Sequence, residues 1–231
     1  MTNGKNVVLV IAAHPDDEVL GCGGAIARHR EEGDAVHVLI MGEGIAARAG
    51  IPDDTVKKEQ KTLRAHMTRA HKELDSSSFT HHELPDQRFE TLPILDITHI
   101  VEGVIRKYNP NIIYTHNGVD INLDHTTLAR AVESAVRPGT YPSIKEVRAF
   151  EVPSTTEWNF VRDRFAPNIF VSLTEKQLKK KINAASKYAA EMRDFPHPRS
   201  PEYLESLARV RGGQSGVRAA EGFALVYCRI V

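Results

Sequence analysis

One histidine and three acidic residues stand close together in the segment His14-Pro15-Asp16-Asp17-Glu18, directly after an apolar run. An imidazole nitrogen and a carboxylate oxygen are ligands that suit zinc or ferrous iron. Pro15 stiffens the turn, so that His14 and Asp17 can converge while Asp16 projects in another direction. Two ligands cannot hold a metal tightly, and we therefore expect a third ligand from another part of the chain.

The same acids have a structural interpretation, because carboxylates at the start of a helix bind its free N–H groups and favour its positive end. That interpretation suits Glu18, which we assign to helix start or ligand support. It does not explain a histidine beside two adjacent carboxylates, so metal binding is favoured for this segment. The glycine-rich stretch 21–24 does not indicate a nucleotide site, because Asp16 and Asp17 would repel a pyrophosphate. It favours close packing of a helix on a sheet.

A second polar segment follows another apolar run and ends in Asp124-His125. Asp124 is predicted to cap the next helix through an N–H group two or three residues further on. His125 would then stand in the first helical turn with one nitrogen facing the same crevice, although a histidine near a helix start is more often a polar surface residue. Taken together, His14, Asp17 and His125 make a set of two nitrogens and one carboxylate with a position left for water. This is the pattern of a catalytic metal site.

Alternating strands and helices would position the two segments. The hydrophobic periodicity predicts strands over residues 6–13, 35–41, 111–115, 146–152, 168–173 and 222–231, and helices over 18–32, 54–74, 97–108 and 128–136, with a further helix opened by a capping box at 174–177. The alternation predicts one Rossmann-like α/β domain over residues 1–231, with a mostly parallel sheet and helices on both faces. Both polar segments follow strands, and ligands bind at the carboxyl ends of the strands in such a sheet. The run of lysines 179–181 is interpreted as a solvated helix face.

The composition limits the partners of the chain. Its 231 residues carry 30 basic and 30 acidic side chains, and a neutral chain has no electrostatic footprint for nucleic acid. The longest apolar run, residues 7–13, is much shorter than the roughly 20 residues that span a bilayer, so no membrane span is predicted. Cys22 and Cys228 show no CxxC spacing and indicate neither a disulfide scaffold nor a thiolate metal site, and the predicted location is cytoplasmic.

The sequence Ala-His-Pro-Asp-Asp-Glu at residues 13–18, followed far along the chain by Asp124-His125, resembles the PIG-L/LmbE family of metal-dependent N-deacetylases. The resemblance spans most of the chain and takes in residues 84–88, 137–138, 197–200 and 220–223. It implies an LmbE-like fold and a hydrolase that removes an N-acetyl or related N-acyl group from an amino-sugar conjugate, such as one of N-acetylglucosamine. It also implies zinc as the cofactor, with ferrous iron or another divalent transition metal as alternatives, and it allows a homo-oligomer.

Transferred residue by residue, the resemblance makes His14, Asp17 and His125 the metal ligands and Asp16 the general base. Members of the family often carry a histidine three residues before the last ligand, where it stabilises the tetrahedral intermediate, but this chain has Asn122 there. An asparagine can donate a neutral hydrogen bond but neither a proton nor a positive charge. The predicted catalytic residues are Asp16, Asn122 and Asp124, and the alternatives for the oxyanion partner are His116 and Asp120.

Substrate contacts are expected from polar side chains in the loops, since an amino sugar presents hydroxyl groups and in some conjugates a phosphate or nucleotide. Arg137 or Arg199 could clamp a phosphate through two parallel hydrogen bonds. Each candidate has an alternative interpretation as an ordinary loop anchor. The predicted substrate-binding residues are Asp86, Arg88, His116, Arg137, His197 and Arg199.

Two rival functions compete with the deacetylase. A metal-dependent phosphoesterase acting on a sugar phosphate is disfavoured, because phosphoryl transfer often uses two metals or several cationic clamps. A non-catalytic module that binds sugar or metal is disfavoured, because it has no need of an uncoordinated carboxylate such as Asp16. Glu221, at the start of the last predicted strand, is interpreted as structural.

Overall fold

The computed structural model describes residues 4–44, 53–160 and 164–230. The strands are β1 (Val7–Ala12), β2 (Ala35–Gly42), β3 (Ser78–Leu84), β4 (Ile112–His116), β5 (Glu146–Phe150), β6 (Ile169–Ser172) and β7 (Ala220–Cys228). Together they form a seven-stranded sheet in the order β3-β2-β1-β4-β5-β7-β6. Strands β1 to β5 pair with one another in parallel, whereas β7 runs antiparallel to both β5 and β6. The predicted mostly parallel sheet is therefore confirmed.

Helices cover both faces of this sheet, as predicted. They are α1 (Asp17–Glu32), α2 (Asp53–Leu74), α3 (Ile94–Tyr108), α4 (Leu123–Ala135), α5 (Glu175–Ala185) and α6 (Pro201–Ser215). Val8 and Val10 of β1 pack with α1, α2 and α5, whereas Leu9 and Ile11 pack with α3 and α4. Because successive side chains of a strand point to opposite faces, one continuous apolar run supplies both cores. No helix within the described ranges is long and apolar enough to cross a membrane.

The sequence patterns miss β3, α6 and the antiparallel direction of β7. Strand β3 lies at the edge of the sheet, is mostly half-buried and carries polar residues at 81–83, so it contains no apolar run. Helix α6 does have an opening signal. Ser200 accepts the N–H of Tyr203 at 3.1 Å, and Pro201 occupies the first turn.

Helix α1 is kinked at Cys22 (φ −144°, ψ 22°). The buried ion pair of Lys181 and Glu221 lies at this kink. The Glu221 carboxylate accepts the N–H of Gly24 at 2.9 Å. The ammonium group of Lys181 donates to the C=O of Leu20 at 2.7 Å. In a regular helix this N–H and this C=O would bond to each other. Lys181 and Glu221 also pair at 2.6 Å, so the two side chains together replace a helical hydrogen bond.

The burial of Lys181 corrects the expectation of a solvated lysine run. Its side chain is buried on α5, whereas Lys179 is exposed. Lys181 is buried because it pairs with Glu221 on β7, a contact that no local sequence pattern reveals. Glu221 is structural, as expected. The expected role of the glycine-rich stretch is also met, since a Cβ on Gly24 would lie 2.4 Å from the side chain of Leu173. Glycine thus allows α1 to approach the sheet closely.

Removal of the Lys181 ammonium group should destabilise the fold strongly. In Lys181→Met the Glu221 carboxylate would remain buried without its partner, and breaking a buried pair in this way typically costs about 3–5 kcal/mol. The unfolding free energy is measured by urea denaturation. Lys179→Met, on the same helix but exposed, is the matched control and should change stability by less than about 0.5 kcal/mol. Equal effects of the two substitutions would contradict a structural role for the pair.

Candidate active site

The two polar segments meet at one edge of the sheet. Strands β1 and β4 are adjacent and parallel, so their carboxyl ends lie side by side where the chain order of the sheet reverses. The segment after β1 supplies His14 and Asp17, and α4, which follows β4, supplies His125. Ligand atoms of these three residues all lie within 4.8 Å of one another. The structure thus brings together the three residues that were predicted to hold a metal.

The donor atoms of this group fit a metal ion. His14 Nδ1 and His125 Nε2 lie 3.3 Å and 3.2 Å from the same oxygen, Asp17 Oδ2. Ligands about 2.1 Å from a tetrahedral zinc ion would be separated by about 3.4 Å. Asp17 Oδ1 and His125 Nε2 are buried and have no hydrogen-bond partner within the described ranges. A bound cation would satisfy both atoms.

Burial and close pairing set the charges of the group. Burial, the largest effect, opposes ionisation of Asp17, but the contacts with His125 and His14 hold the pKa of its carboxyl well below the ordinary value. Burial likewise lowers the pKa of His14, but hydrogen bonds to Asp124 and Asp17 raise it well above the ordinary value. A histidine must lose its proton to become a ligand, so a metal and protons compete for this group.

Asp124 supports His14 instead of capping α4, which corrects the sequence prediction. The cap is Asn122, whose side-chain oxygen accepts the N–H of Asp124 at 2.9 Å. The Asp124 carboxylate is fully buried and contacts His14 Nε2 at 2.8 Å. It also accepts the N–H groups of Gln87 and Phe89 at 2.8 and 2.9 Å. A carboxylate on the outer nitrogen of a ligand histidine fixes the orientation and tautomer of its ring.

Asp120 takes the equivalent position behind the other histidine. Its Oδ1 lies 3.3 Å from His125 Nδ1, the nitrogen that faces away from Asp17. Its Oδ2 accepts the hydroxyl groups of Thr155 and Thr156 at 3.0 and 2.7 Å. Each histidine of the group therefore has one nitrogen toward Asp17 and the other toward a supporting carboxylate.

Asp16 lies beside the ligand group in a strained backbone conformation, with φ 109° and ψ −28°, which residues other than glycine rarely adopt. Its N–H donates to Glu18 Oε2 at 3.1 Å, and its Oδ2 accepts a hydrogen bond from Arg199 Nη1 at 3.0 Å. Arg199 is anchored by Ser154 Oγ at 2.9 Å and by Glu191 at 3.3 Å. Burial raises the pKa of Asp16 well above its ordinary value, although Arg199 opposes the shift. The carboxylate is therefore a stronger base than it would be in water.

His116 is part of the packing behind the site and does not stand among the loops where substrate contacts were expected. It is buried, and its Nε2 accepts the N–H of Ala13 at 2.8 Å. Its ring stacks on that of His125, with the centroids 4.0 Å apart. Burial and the neighbouring His125 lower the pKa of His116 well below its ordinary value, so the ring is neutral.

The other predicted substrate-binding residues lie in different places. Asp86 is buried with Oδ1 3.2 Å from His14 Nε2, so it contacts one of the predicted metal ligands. Arg88 is exposed, just before a 3₁₀ turn at Phe89–Thr91. Arg137 is exposed beyond the end of α4, a 13-residue helix that begins at the site and extends about 20 Å from it. Arg137 therefore lies about the length of α4 away from the three predicted ligands.

His197 and Arg199 belong to the loop before α6. The charge of Arg199 is matched by Asp16 and Glu191, so its guanidinium is not a free phosphate clamp. His197 Nδ1 accepts the backbone N–H of Arg199 at 3.1 Å, and its ring meets Trp158 edge-on with the centroids 5.4 Å apart.

A buried polar network lies behind the turn that carries Asp16. The hydroxyl of Tyr188 donates to Glu18 Oε1 at 2.6 Å, and His71 Nε2 lies 3.6 Å from the same oxygen. Burial raises the pKa of Glu18 to about 7 and lowers the pKa of His71 to about 4. The His71 ring also stacks on Phe79, with the centroids 4.5 Å apart. Tyr188 and His71 belong to no motif, so sequence reasoning had no signal for this network.

Residues 9–136, more than half of the chain, match the family model of the GlcNAc-PI de-N-acetylases, PIG-L. The chain belongs to the PIG-L family. The matched segment contains His14, Asp17 and His125, together with Asp16 and both supporting carboxylates. The resemblance inferred from the sequence motifs is thereby confirmed.

Relatives of two activities share the sequence or fold. The uncharacterized deacetylase YaiS of Escherichia coli (strain K12) is 28% identical over 193 residues, covering 80% of this chain and 92% of the relative. A 4-oxalmesaconate hydratase of Pseudomonas putida is 26% identical over 255 residues, covering 100% of this chain and 93% of the hydratase. The solved N,N'-diacetylchitobiose deacetylase from Pyrococcus horikoshii has a TM-score of 0.76 at 18% identity, covering 96% of this chain and 84% of that chain. The likeness to that structure concerns the fold alone.

Loss of the Asp120 charge should weaken metal binding without unfolding the protein. In Asp120→Asn the outer nitrogen of His125 would face a neutral amide, and changes behind a ligand typically cost about 10- to 100-fold in metal affinity. Affinity is measured by competition with a chromophoric chelator. Glu133→Gln, on the exposed side of α4, the helix that carries His125, should keep the wild-type affinity. Unchanged affinity in Asp120→Asn would show that Asp120 does not support the ligand.

His71 should make the metal-free protein less stable in acid. Its folded pKa of about 4 lies below the unfolded value of 6.5, so protonation favours the unfolded chain. Its contribution is fully present above pH 6.5 and is lost as the pH falls toward 4, by about 3 kcal/mol in total. Urea denaturation of wild type and His71→Gln over this pH range measures the difference. A variant that loses stability with pH as steeply as wild type would contradict the assignment.

Proposed function

We propose that this protein is a metal-dependent N-deacetylase that removes an N-acetyl or related N-acyl group from an amino-sugar conjugate. Zinc is the first candidate for the metal, and ferrous iron or another divalent transition metal is the alternative. The observation that carries the proposal is the placing of Asp16, a buried carboxylate held beside the group His14, Asp17 and His125 but outside it. Family membership and the deacetylase relatives support the same activity. A cytoplasmic location and self-association stay predictions.

The residues divide the chemistry between them. His14, Asp17 and His125 would hold the ion, which when bound lowers the pKa of a water and polarises the amide carbonyl. Asp16 takes the proton of the attacking water and returns it to the leaving nitrogen, and its raised pKa suits both steps. Arg199 fixes the direction of the Asp16 carboxylate. Asn122, whose amide oxygen caps α4, is our candidate donor to the developing oxyanion through its amide nitrogen.

Hydration of a carbon–carbon double bond is a second candidate, because a relative that covers the whole of this chain is named as a hydratase. Asp16 and a metal could also direct water to a double bond. An oxalmesaconate carries several carboxylates, however, and such a substrate needs cationic partners. Arg199 already pairs with Asp16 and Glu191, which favours the neutral amide of an amino sugar. The same charge argument disfavours a sugar phosphate.

Two substitutions separate the ligands from the base. Asp16→Asn should retain the metal and lose about 10²–10⁴ in turnover, because proton transfer is removed but the ligands remain. His125→Ala should lose both the metal and the activity. Metal content is measured on the purified proteins, and activity is measured as amine released from a panel of N-acetylated amino sugars, with and without a chelator. Glu133→Gln, on the exposed side of α4, is the control and should behave as wild type.

Each part of the proposal can fail separately. Full metal occupancy in His125→Ala would show that the ligand set is wrong. If the metal-bound wild-type protein releases no amine from any sugar but hydrates an unsaturated carboxylic acid, the protein is a hydratase and the deacetylase proposal is wrong. Release of phosphate from a sugar phosphate would instead identify a phosphoesterase.

A further inference from the structure

Tyr188 is a fully buried side chain whose backbone is held on both sides. It follows α5, and its N–H donates to the C=O of Ala185 at 2.9 Å. Its own C=O accepts the N–H groups of Glu191 and Met192 at 2.8 and 3.2 Å. The ring belongs to the apolar core that α1, α2 and α5 form with the sheet. The phenol hydroxyl is therefore presented at a fixed position inside the protein.

This hydroxyl is connected to Asp16 by two hydrogen bonds that meet at Glu18. The hydroxyl donates to Glu18 Oε1 at 2.6 Å, and the backbone N–H of Asp16 donates to Glu18 Oε2 at 3.1 Å. Glu18 is also fully buried, so bulk water does not compete for its two oxygens. One carboxyl group thus joins the core at Tyr188 to the backbone of the proposed general base.

Tyr188 ties the Glu18 carboxyl group to the core of the protein. Within the described ranges, the other hydrogen bonds to this carboxyl group come from the N–H groups of Asp16 and of Glu18 itself, which belong to the same turn. His71 Nε2 lies 3.6 Å from Glu18 Oε1, beyond hydrogen-bonding distance. A carboxyl group held only from within its own turn can move together with that turn, whereas a hydrogen bond from the core fixes it in place.

The backbone of Asp16 needs this support because its conformation is strained. Its φ of 109° lies outside the left-handed region near +60° that residues other than glycine sometimes adopt, and such a conformation persists only where the surrounding contacts hold it. Its C=O accepts the N–H groups of Val19 and Leu20 at 3.0 and 2.9 Å, and its N–H is held by Glu18. If the bond to Glu18 weakens, the backbone can rotate toward an ordinary φ and displace the carboxylate. A displacement of about 1 Å at a reacting group can lower turnover about 100-fold.

We propose that Tyr188 is a positioning residue for the general base. Its hydroxyl, acting through Glu18, holds the backbone of Asp16 in the conformation that keeps the carboxylate beside the predicted metal ligands. Arg199 binds the carboxylate itself, so the backbone and the side chain of the base are fixed by separate contacts. This inference rests on the proposed deacetylase function, in which Asp16 transfers the protons.

Tyr188→Phe removes the hydroxyl and keeps the ring. Activity is measured as amine released by the metal-loaded protein from the panel of N-acetylated amino sugars, beginning with N-acetylglucosamine. The kcat should fall about 10- to 100-fold because the base is misplaced, and KM should stay near the wild-type value. The metal content should not change, because Asp124 and Asp120 support the two predicted histidine ligands.

Tyr114→Phe is the matched control. Tyr114 is also a fully buried tyrosine, and its hydroxyl accepts a hydrogen bond from Arg148 Nη1 at 2.7 Å and lies 3.0 Å from His29 Nε2. His29 is twelve residues further along α1 than Asp17, which corresponds to about 18 Å of helix. Tyr114→Phe should therefore lower the unfolding free energy, measured by urea denaturation, by a similar amount without changing kcat.

Two further measurements distinguish positioning from a general loss of structure. In an Asp16→Asn background, Tyr188→Phe should have no further effect on the residual turnover, because the base on which it acts is already absent. Hydrogen exchange of the Asp16 amide, followed by NMR on the metal-bound protein, should be about tenfold faster in Tyr188→Phe than in wild type. It should be unchanged in Tyr114→Phe, because only the first substitution loosens the acceptor of this N–H group.

The outcomes separate the role of Tyr188 from the deacetylase itself. If Tyr114→Phe lowers kcat as much as Tyr188→Phe, or if Tyr188→Phe acts as strongly in the Asp16→Asn background as in wild type, the positioning role is wrong although the deacetylase stands. If the wild-type protein releases no amine from any sugar, the deacetylase is wrong, and the exchange rate of the Asp16 amide alone decides whether Tyr188 holds this backbone.

Discussion

The buried carboxylate of Asp17 is the group on which the rest of the site depends. It holds a negative charge at the carboxyl end of β1 with no exposure to water, a position that is costly unless the charge is paired. The backbone N–H of His14 donates to its Oδ2 at 2.8 Å, and the rings of His14 and His125 turn toward the same oxygen. A divalent cation would complete this pairing, since it would also take up Oδ1. The outer carboxylates Asp124 and Asp120 then keep the two rings in place.

Asp17 is also the first residue of α1, so its position depends on how that helix packs. The helix is kinked at Cys22, and Gly24 allows it to approach its neighbours closely. Lys181 and Glu221 satisfy the polar groups that the kink leaves unpaired. The buried ion pair of Lys181 and Glu221 therefore helps to position Asp17.

Most of the fold could be predicted from local sequence patterns. The predictions failed where contacts between residues distant in sequence decide the structure. The apolar runs of β1 and β2 and the capping box at 174–177 are local, and the structure contains all three. Both Asn122 and Asp124 are residue types that cap helices well. Asn122 is the cap because the carboxylate of Asp124 is engaged by His14, which lies 110 residues away in sequence. Lys181 is buried for the same kind of reason. Strand β3 lies at the edge of the sheet, where neighbouring elements cover a strand less completely. Polar residues are tolerated there, so no apolar run marks this strand in the sequence.

A general base beside a metal must be close to it without becoming a ligand. Asp16 meets this condition through two contacts, because Glu18 holds its backbone N–H and Arg199 holds one carboxylate oxygen. The backbone at this residue has a positive φ of 109°, and its carboxylate pairs with Arg199, whereas that of Asp17 faces the two histidines. Arg199 is itself fixed by Ser154 and by Glu191. The orientation of the base is therefore set by the few hydrogen bonds that hold Arg199.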